Sequence, residues 1–398
     1  MSIKVATLRS FLRHSDNLSA VQEELLNDIE KYLGEKIIPT TIDDYDCDLK
    51  LIFIETGGSE GFFMKNFDFL KPPYYLLTNG ANNSLAASLE ILTYLNNNNL
   101  KGEVLHGDSE YIANRIKQIV TFNKAKRYLE NSNFGVVGVP SDWLISSIPN
   151  YKEVKRIFGI NLIDISLDEV SKKEATNQKD FNFLNDDFNK KELEKSNEIF
   201  KNLDDIITRY NLKGLTLRCF DLLNLLHSTG CLALSYFNDH NLIGTCEGDI
   251  MAMISMAIIK GLLNQPTFQA NPSRIDTKTN RIIFAHCTIP TTMLDSYKLD
   301  THFESGIGVA IKGELKTQDI TIFRLSSDMK RFFVSDGKII RNLNERNLCR
   351  TQIEVELEED VSELLTHPCG NHHIICYGHH AKIIKDFINS LLKWYFVL

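Results

Sequence analysis

The sequence predicts an α/β protein, with two parallel-sheet domains followed by a domain rich in β-strands. As far as residue 279, short apolar runs alternate with helical patterns, which is typical of parallel sheets covered by helices. From residue 280, strand patterns follow one another without helices until the last segment of the chain. These two observations predict the fold class.

The first domain is predicted at residues 1–130. It begins with the strand pattern "IKVATLRS" and the amphipathic helix pattern "LSAVQEELLNDIEKYLGEK". The runs "LKLIFIETGG" and "PYYLLTNGANN" indicate buried strands that end in Gly and Asn, where open α/β sheets place their ligand loops. A Rossmann-like sheet is therefore expected. No G-x-G-x-x-G follows its first strand, which argues against a dinucleotide-dependent oxidoreductase.

The second Rossmann-like domain is predicted at residues 131–279. Its first strand lies in "NFGVVGVPSDWLISS", and "KKELEKSNEIFKNLDDIITRYN" has a helical pattern. The stretch "TCEGDIMAM" then opens an apolar helix with two carboxylates, Glu247 and Asp249. Acidic side chains favour a helix N-terminus, because its unpaired N–H groups carry partial positive charge.

The third domain is predicted at residues 280–398 as a β-rich, barrel-like unit with a final helix. Its strand patterns are "RIIFAHCTIP", "GIGVAIKGEL", "DITIFRLS", "KRFFVSDGKII" and "CRTQIEVELEED". The helix pattern is "HAKIIKDFINSLLKWYFVL". Strands without intervening helices predict a mostly antiparallel barrel or sandwich.

Composition limits the function classes. The 398 residues carry a net charge of −8, which argues against nucleic-acid or membrane-surface partners. The eight cysteines form no C-x-x-C pair, and the N-terminus lacks the apolar core of a signal peptide. Reduced thiols and a cytoplasmic location are therefore expected.

Three polar clusters interrupt apolar surroundings and are the candidate site. They contain, in order, Glu247 with Asp249, then Asn271, Asp276 and His286, then the histidines in "GNHHIICYGHH". Carboxylate, amide and imidazole groups together suit a divalent cation such as Mn²⁺. Each cluster also has a structural interpretation: a charged first helical turn, a hydrogen-bonded core histidine, and a polar turn before a strand.

Taken in order, these motifs resemble the L-fucose isomerase and L-arabinose isomerase superfamily over most of the chain. In that superfamily an E-G-D or E-A-D segment opens an apolar helix and its Glu binds Mn²⁺, which matches "CEGD" and Glu247. Its second acidic ligand falls on Asn271, 24 positions later, and its strand histidine on His286. Its last ligand, in a Gly-x-His-His turn, falls on His372 or His373.

The resemblance implies a metal-dependent sugar ketol-isomerase, which interconverts an aldose and a ketose through a cis-enediol. Glu247 would be metal ligand and base, Asn271 a weaker ligand, and His372 or His373 would complete the sphere. Asn271 departs from the pattern, since an amide cannot shuttle a proton. Asp276 is the candidate replacement for that carboxylate, and Asp249 is a poorer one. Asn271 therefore favours one alternative, a non-catalytic carbohydrate-binding descendant. A metal-assisted epimerase or lyase is a further alternative, because an enediolate intermediate can partition in several ways.

Substrate contacts are expected from His286, Glu304 and Ser305. The resemblance also implies a homotrimer or homohexamer, in which loops of the first domain reach a neighbour's pocket. His106 in "LHGDSEY" is the residue expected to contact substrate from such a loop.

Overall fold

The structure is a computed structural model that describes residues 2–10, 18–171, 181, 183 and 186–392. The chain divides into two compact units, Met1–Lys124 and Ala125–Leu398. Both contain a parallel sheet with helices, and the second also contains an antiparallel β-barrel. The predicted fold class is thus confirmed, whereas the domain boundaries at residues 130 and 279 stay predictions.

The first unit is built on a five-stranded parallel sheet in the order β2-β1-β3-β4-β5. All six residues of the central strand β3 are buried, as expected for a sheet that is covered on both faces. The strands are β1 (Ile3–Leu8), β2 (Ile37–Pro39), β3 (Leu49–Ile54), β4 (Tyr74–Thr78) and β5 (Gly102–Leu105). The helices along this part of the chain are α1 (Leu18–Leu33), α2 (Glu60–Lys65), α3 (Ser84–Asn97) and α4 (Ser109–Leu129).

The second unit begins with a four-stranded parallel sheet in the order β7-β6-β8-β9. Its strands are β6 (Asn133–Val137), β7 (Asn161–Ile165), β8 (Leu212–Leu217) and β9 (Ile243–Cys246). Its helices are α5 (Tyr151–Phe158), α6 (Lys190–Arg209), α7 (Asp221–Leu225), α8 (Cys231–Asp239) and α9 (Ile250–Leu263).

A closed antiparallel barrel follows, in the order β10-β11-β16-β15-β14-β17, beside a two-stranded ribbon of β12 and β13. The strands are β10 (Phe268–Asp276), β11 (Arg281–His286), β12 (Leu294–Asp300), β13 (Ala310–Leu315), β14 (Asp319–Leu325), β15 (Phe332–Asn342), β16 (Thr351–Leu357) and β17 (His373–Tyr377). The remaining helices are α10 (Glu363–Thr366) and α11 (Ala381–Leu392). Residues 393–398 of the predicted last helix lie outside the described part of the chain.

Helix α9 lies between the parallel sheet and the barrel of the second unit. It contacts β8 and β9 of the sheet and β14 and β17 of the barrel. Nearly all of its residues are buried, which explains why its sequence is apolar on every side. Its N-terminus is therefore the point where the sheet edge and the barrel meet.

No helix within the described residues is long and apolar enough to cross a bilayer.

Candidate metal centre

A short turn between β9 and α9 presents Glu247 from a left-handed backbone conformation. Glu247 has a φ of +66° and Gly248 a φ of +72°. The amide N–H of Ser141 donates to the carbonyl of Glu247 at 3.0 Å, and that of Gly248 donates to the carbonyl of Leu217 at 3.0 Å. A left-handed conformation is uncommon for Glu, and such positions concentrate at functional sites.

Glu247 faces two histidines that approach it from the barrel. Its Oε1 atom lies 3.3 Å from Nε2 of His372 and 3.6 Å from Nε2 of His286. All three residues are buried, and their potential ligand atoms lie within 4.8 Å of one another. Nε2 of His372 is buried and has no well-formed hydrogen bond to any described residue. One carboxylate oxygen and two imidazole nitrogens therefore converge on a common space.

The opposite nitrogen of each imidazole is already engaged. Nδ1 of His372 lies 2.9 Å from Oδ2 of Asp249, and Nδ1 of His286 lies 3.1 Å from Oγ1 of Thr288. A carboxylate on Nδ1 holds the proton there and leaves the lone pair of Nε2 free, which is how metal-binding histidines are usually oriented. Asp249 thus orients His372 toward Glu247.

Asp249 is itself held by a buried guanidinium. Its Oδ1 atom accepts the N–H of Ala252 at 2.8 Å, which caps helix α9. Nη1 of Arg324 donates to both carboxylate oxygens, at 3.1 and 3.0 Å. Arg324 is completely buried, and it also donates to Ser147 and to the carbonyl of Cys369. Asp249 is therefore saturated and belongs to the frame of the site.

The charges of the cluster leave one carboxylate without a fixed cation. Burial alone would raise the pKa of Glu247, but His372 and His286 hold it well below its usual range. Burial would also raise the pKa of Asp249, yet Arg324 and His372 lower it to about 2. Burial would lower the pKa of His372, but Glu247 and Asp249 raise it to about 9. Because Arg324 balances only one carboxylate, the cluster accommodates one further cation, either a proton on His372 or a metal ion.

Asn271 lies on the strand face that points toward this turn. On β10, side chains two positions apart share a face, so Asn271 lies on the same face as Gln269. Oε1 of Gln269 accepts the N–H of Cys246 at 2.8 Å, immediately before Glu247. The buried Oδ1 atom of Asn271 has no hydrogen-bond partner among the described residues. An unpaired amide oxygen is a potential fourth oxygen or nitrogen ligand.

His373 and Asp276 are not brought to this cluster. The ring of His373 packs against Phe284 and Phe333, at centroid distances of 5.7 and 5.9 Å, and burial lowers its pKa to about 3. Asp276 is exposed at the far end of β10, where it accepts hydrogen bonds from Lys278 and Thr279. The turn is closed by these local bonds, which hold the carboxylate in place. A catalytic role for Asp276 stays a prediction.

The residues predicted to contact substrate lie in three places. His286 is part of the cluster. Glu304 and Ser305 lie in the loop between β12 and β13, where Oγ of Ser305 is 3.0 Å from Nδ1 of His302 and Glu304 is exposed. His106 is exposed after β5 in the first unit, with its ring against Gly80. Substrate contact by these residues stays a prediction.

Two residues of the site were not singled out from the sequence. Nε1 of Trp143 donates to Oε2 of Glu247 at 2.7 Å, although 104 positions separate them. Nothing in the sequence around Trp143 signals this contact. Arg324 did carry a signal, because it is a charged residue in the apolar strand pattern "DITIFRL".

The donor set fits a divalent cation. A carboxylate, two imidazoles and an amide oxygen form the mixed oxygen and nitrogen set that Mn²⁺ accepts. Two histidines with one carboxylate also bind Fe²⁺ in other proteins. The residues present are therefore suited to a first-row divalent ion.

Part of the chain is similar in sequence to sulfoquinovose isomerases. The sulfoquinovose isomerases of Priestia aryabhattai and Priestia megaterium are each 26% identical to the chain over 284 residues. These matches cover 65% of this chain and 61% of each relative. The sulfoquinovose isomerase of Alkalicoccus urumqiensis is 23% identical over 194 residues, covering 46% of this chain and 43% of that protein. The chain thus spans about three fifths of the length of the Priestia relatives, and no protein-family model matches it.

Proposed function

We propose that this protein is a sugar aldose–ketose isomerase that depends on a divalent cation, with Mn²⁺ as the first candidate. The observation that carries the proposal is the convergence of Oε1 of Glu247 with Nε2 of His286 and His372 within 4.8 Å. The similarity to sulfoquinovose isomerases makes a sugar the proposed substrate, and sulfoquinovose the first sugar to test. The order of the motifs also favours a relative of the L-fucose and L-arabinose isomerases.

Glu247, His286 and His372 would hold the cation, and Asn271 would add an amide oxygen. When bound, a divalent ion supplies positive charge that stabilises the negative charge developing on the sugar oxygens. Asp249 keeps Nε2 of His372 directed at the site through its bond to Nδ1. Arg324 in turn keeps Asp249 ionised, since the guanidinium lowers the pKa of that carboxyl.

The reaction moves a proton between C1 and C2 of the sugar through a cis-enediol. Glu247 is the proposed acceptor, because it is the buried carboxylate of the cluster that has no guanidinium partner among the described residues, whereas Asp249 is paired with Arg324. His286 would meet the cation as a neutral imidazole, because burial lowers its pKa. Burial of both groups would exclude water, which otherwise competes for the same protons.

The test combines metal content with proton exchange, for the wild-type protein and Glu247→Gln prepared without chelators. Elemental analysis is expected to find close to one Mn²⁺ per wild-type chain and none in the variant. In D₂O the wild type is expected to exchange the C2 proton of its sugar and to form the ketose, and the variant is expected to do neither. Failure of the wild type to bind any divalent ion would overturn the proposal.

The same assays separate the alternatives. Sugar binding without exchange at C2 would indicate the carbohydrate-binding descendant, which the amide at Asn271 favours. Exchange that yields an epimer or a cleavage product would indicate an epimerase or a lyase. If elemental analysis found iron instead of manganese, the proposed cation would change, but the proposed ligand residues would not.

A homotrimer or homohexamer is proposed from the same resemblance. Light scattering after size-exclusion chromatography should give a mass of three or six chains, and a monomer would contradict it.

A further inference from the structure

The two carboxylate oxygens of Glu247 have different neighbours. Oε1 faces the Nε2 atoms of His372 and His286, at 3.3 and 3.6 Å. Oε2 accepts the indole N–H of Trp143 at 2.7 Å. One oxygen is thus directed into the cluster, and the other is occupied by a neutral donor.

The neutrality of this donor matters for the charge of the site. A guanidinium in the same place would balance the carboxylate, as Arg324 balances Asp249. An indole N–H holds the orientation of Glu247 without adding positive charge, so the carboxylate retains its attraction for a cation.

Trp143 is fixed at one edge and open on another side. Its ring packs edge-on against Phe220 at a centroid distance of 5.0 Å, and Phe220 packs against His302 at 5.4 Å. Arg218 donates to the carbonyl of Pro140 at 2.8 Å, which anchors the loop just before Trp143. Even so, 52% of Trp143 is exposed. An exposed large aromatic ring whose N–H edge is bonded to a buried carboxylate is placed to contact a ligand that enters the site.

A small pocket lies against the same aromatic group. It is partly open, has room for little more than one water molecule, and is lined by Cys219, Phe220, Leu223, Thr229, Cys231 and His302. Phe220 therefore contacts Trp143 and also lines this pocket.

We propose that Trp143 is the positioning residue of Glu247 and that its exposed ring contacts the sugar. This proposal rests on the proposed function and adds a residue to its site. The indole N–H holds Oε2, which leaves Oε1 as the single oxygen offered to the cation. The ring face, which is apolar and rigid, packs against the carbon-bound hydrogens of the sugar.

Two variants separate the two roles. Trp143→Phe removes the N–H and keeps a ring, whereas Trp143→Ala removes both. Ile145→Ala is the control, because Ile145 lies in the same loop, is 89% exposed and has no part in the site. Melting temperatures of all variants show whether the fold is retained, and a half-exposed ring is expected to be replaceable without unfolding.

The first measurement is calorimetric titration of the chelator-treated protein with Mn²⁺ alone. Loss of a group that orients a metal ligand typically weakens binding about 10–100-fold. We expect a loss of about tenfold for both Trp143→Phe and Trp143→Ala, and none for Ile145→Ala. A Trp143→Phe protein that binds Mn²⁺ within about twofold of the wild type would overturn the positioning role.

The second measurement is sugar affinity, taken as KM in the isomerase assay. Trp143→Ala is expected to raise KM about tenfold above that of Trp143→Phe, since only the former loses the ring. Equal KM values in the two variants would overturn the sugar contact.

The third measurement is intrinsic fluorescence, because the chain has only two tryptophans. Adding Mn²⁺ is expected to quench the wild-type emission, and this response should disappear in Trp143→Phe, where Trp394 alone remains. A wild type that binds Mn²⁺ with this response but converts no sugar would refute the proposed function and leave the positioning role intact.

Discussion

Two buried carboxylates of this protein each follow a strand of a parallel sheet. They differ in their partners, because one is paired with a guanidinium and the other faces imidazoles. Glu55 follows β3 in the first unit and accepts hydrogen bonds from Nε and Nη2 of Arg9. Glu247 follows β9 in the second unit and faces the Nε2 atoms of two imidazoles, at 3.3 and 3.6 Å. A guanidinium balances a carboxylate and occupies both of its oxygens. Imidazoles whose Nδ1 atoms are engaged instead direct Nε2 at the carboxylate, which leaves a place for one cation, either a proton or a metal ion.

Glu247 and Asp249, which are two positions apart in the chain, show the same contrast between a carboxylate with a guanidinium partner and one without. Asp249 is paired with Arg324, whereas Glu247 has no guanidinium partner among the described residues. Burial does not distinguish the two, because both carboxylates are buried. The partner therefore decides which of two neighbouring acidic residues is structural and which is available for chemistry.

The largest expected effect tests whether the Asp249 pair is structural. Asp249→Asn should lower the free energy of unfolding of the second unit by about 4 kcal/mol, because it leaves the fully buried Arg324 unbalanced. Glu55→Gln should cost the first unit only about 1 kcal/mol, since the side chain of Arg9 is 40% exposed and water can solvate it. Urea titrations followed by circular dichroism measure both. Equal losses would show that burial of the guanidinium does not control the cost.

The next largest expected effect is a loss of stability from a substitution in the turn that carries Glu247. Gly248→Ala should destabilise the second unit by about 3 kcal/mol, because it combines a left-handed φ with a Cβ only 2.7 Å from Cα of Pro140. Gly306→Ala is the matched control: its φ is +69° and nothing lies within 4 Å of the added Cβ. It should cost about 1 kcal/mol. Urea midpoints that shift equally would mean that the close approach to Pro140 contributes nothing.

The two adjacent histidines give a sharper test of the ligand set. His372→Gln should weaken Mn²⁺ binding by at least about 100-fold, at the upper end of the loss seen for groups that merely orient a ligand. His373→Gln should change it by no more than about twofold, because the ring of His373 packs against Phe284 and Phe333 instead. Calorimetric titration of both variants decides this. The reverse order of effects would place the ligand at His373.

The smallest expected effect is that of Glu55→Gln on Mn²⁺ affinity. Glu55→Gln should leave Mn²⁺ affinity within about twofold of the wild type, since Arg9 already balances that carboxylate. Glu247→Gln, tested in parallel, should abolish binding. A marked loss of affinity in Glu55→Gln would end the distinction drawn between the two carboxylates.

Much of the fold could be predicted because it follows from local patterns. The alternation of strand and helix patterns predicted the parallel sheets, and the absence of helices after residue 280 predicted the barrel. The apolar helix after Glu247 was also predicted, and it is buried between sheet and barrel as its composition requires.

The candidate site could be predicted only in part. Glu247, His286 and His372 were all named from their motifs, and the structure brings them together. The choice between His372 and His373 was left open, because adjacent residues at the start of a strand point to opposite faces and the sequence does not show which face is which. Asp276 was named for its short distance from Asn271 along the chain, but an extended strand carries it away.

The sequence by itself determined the layers of this protein, the apolar helix and the residue types of a cation site. Periodicity acts over a few residues, so it can be read along the chain. Only the tertiary structure decided which acidic residue received a guanidinium and which received two imidazoles and an indole. Four side chains that are far from Glu247 and Asp249 in sequence are brought within 3.6 Å of one of these carboxylates. They are those of Trp143, His286, Arg324 and His372.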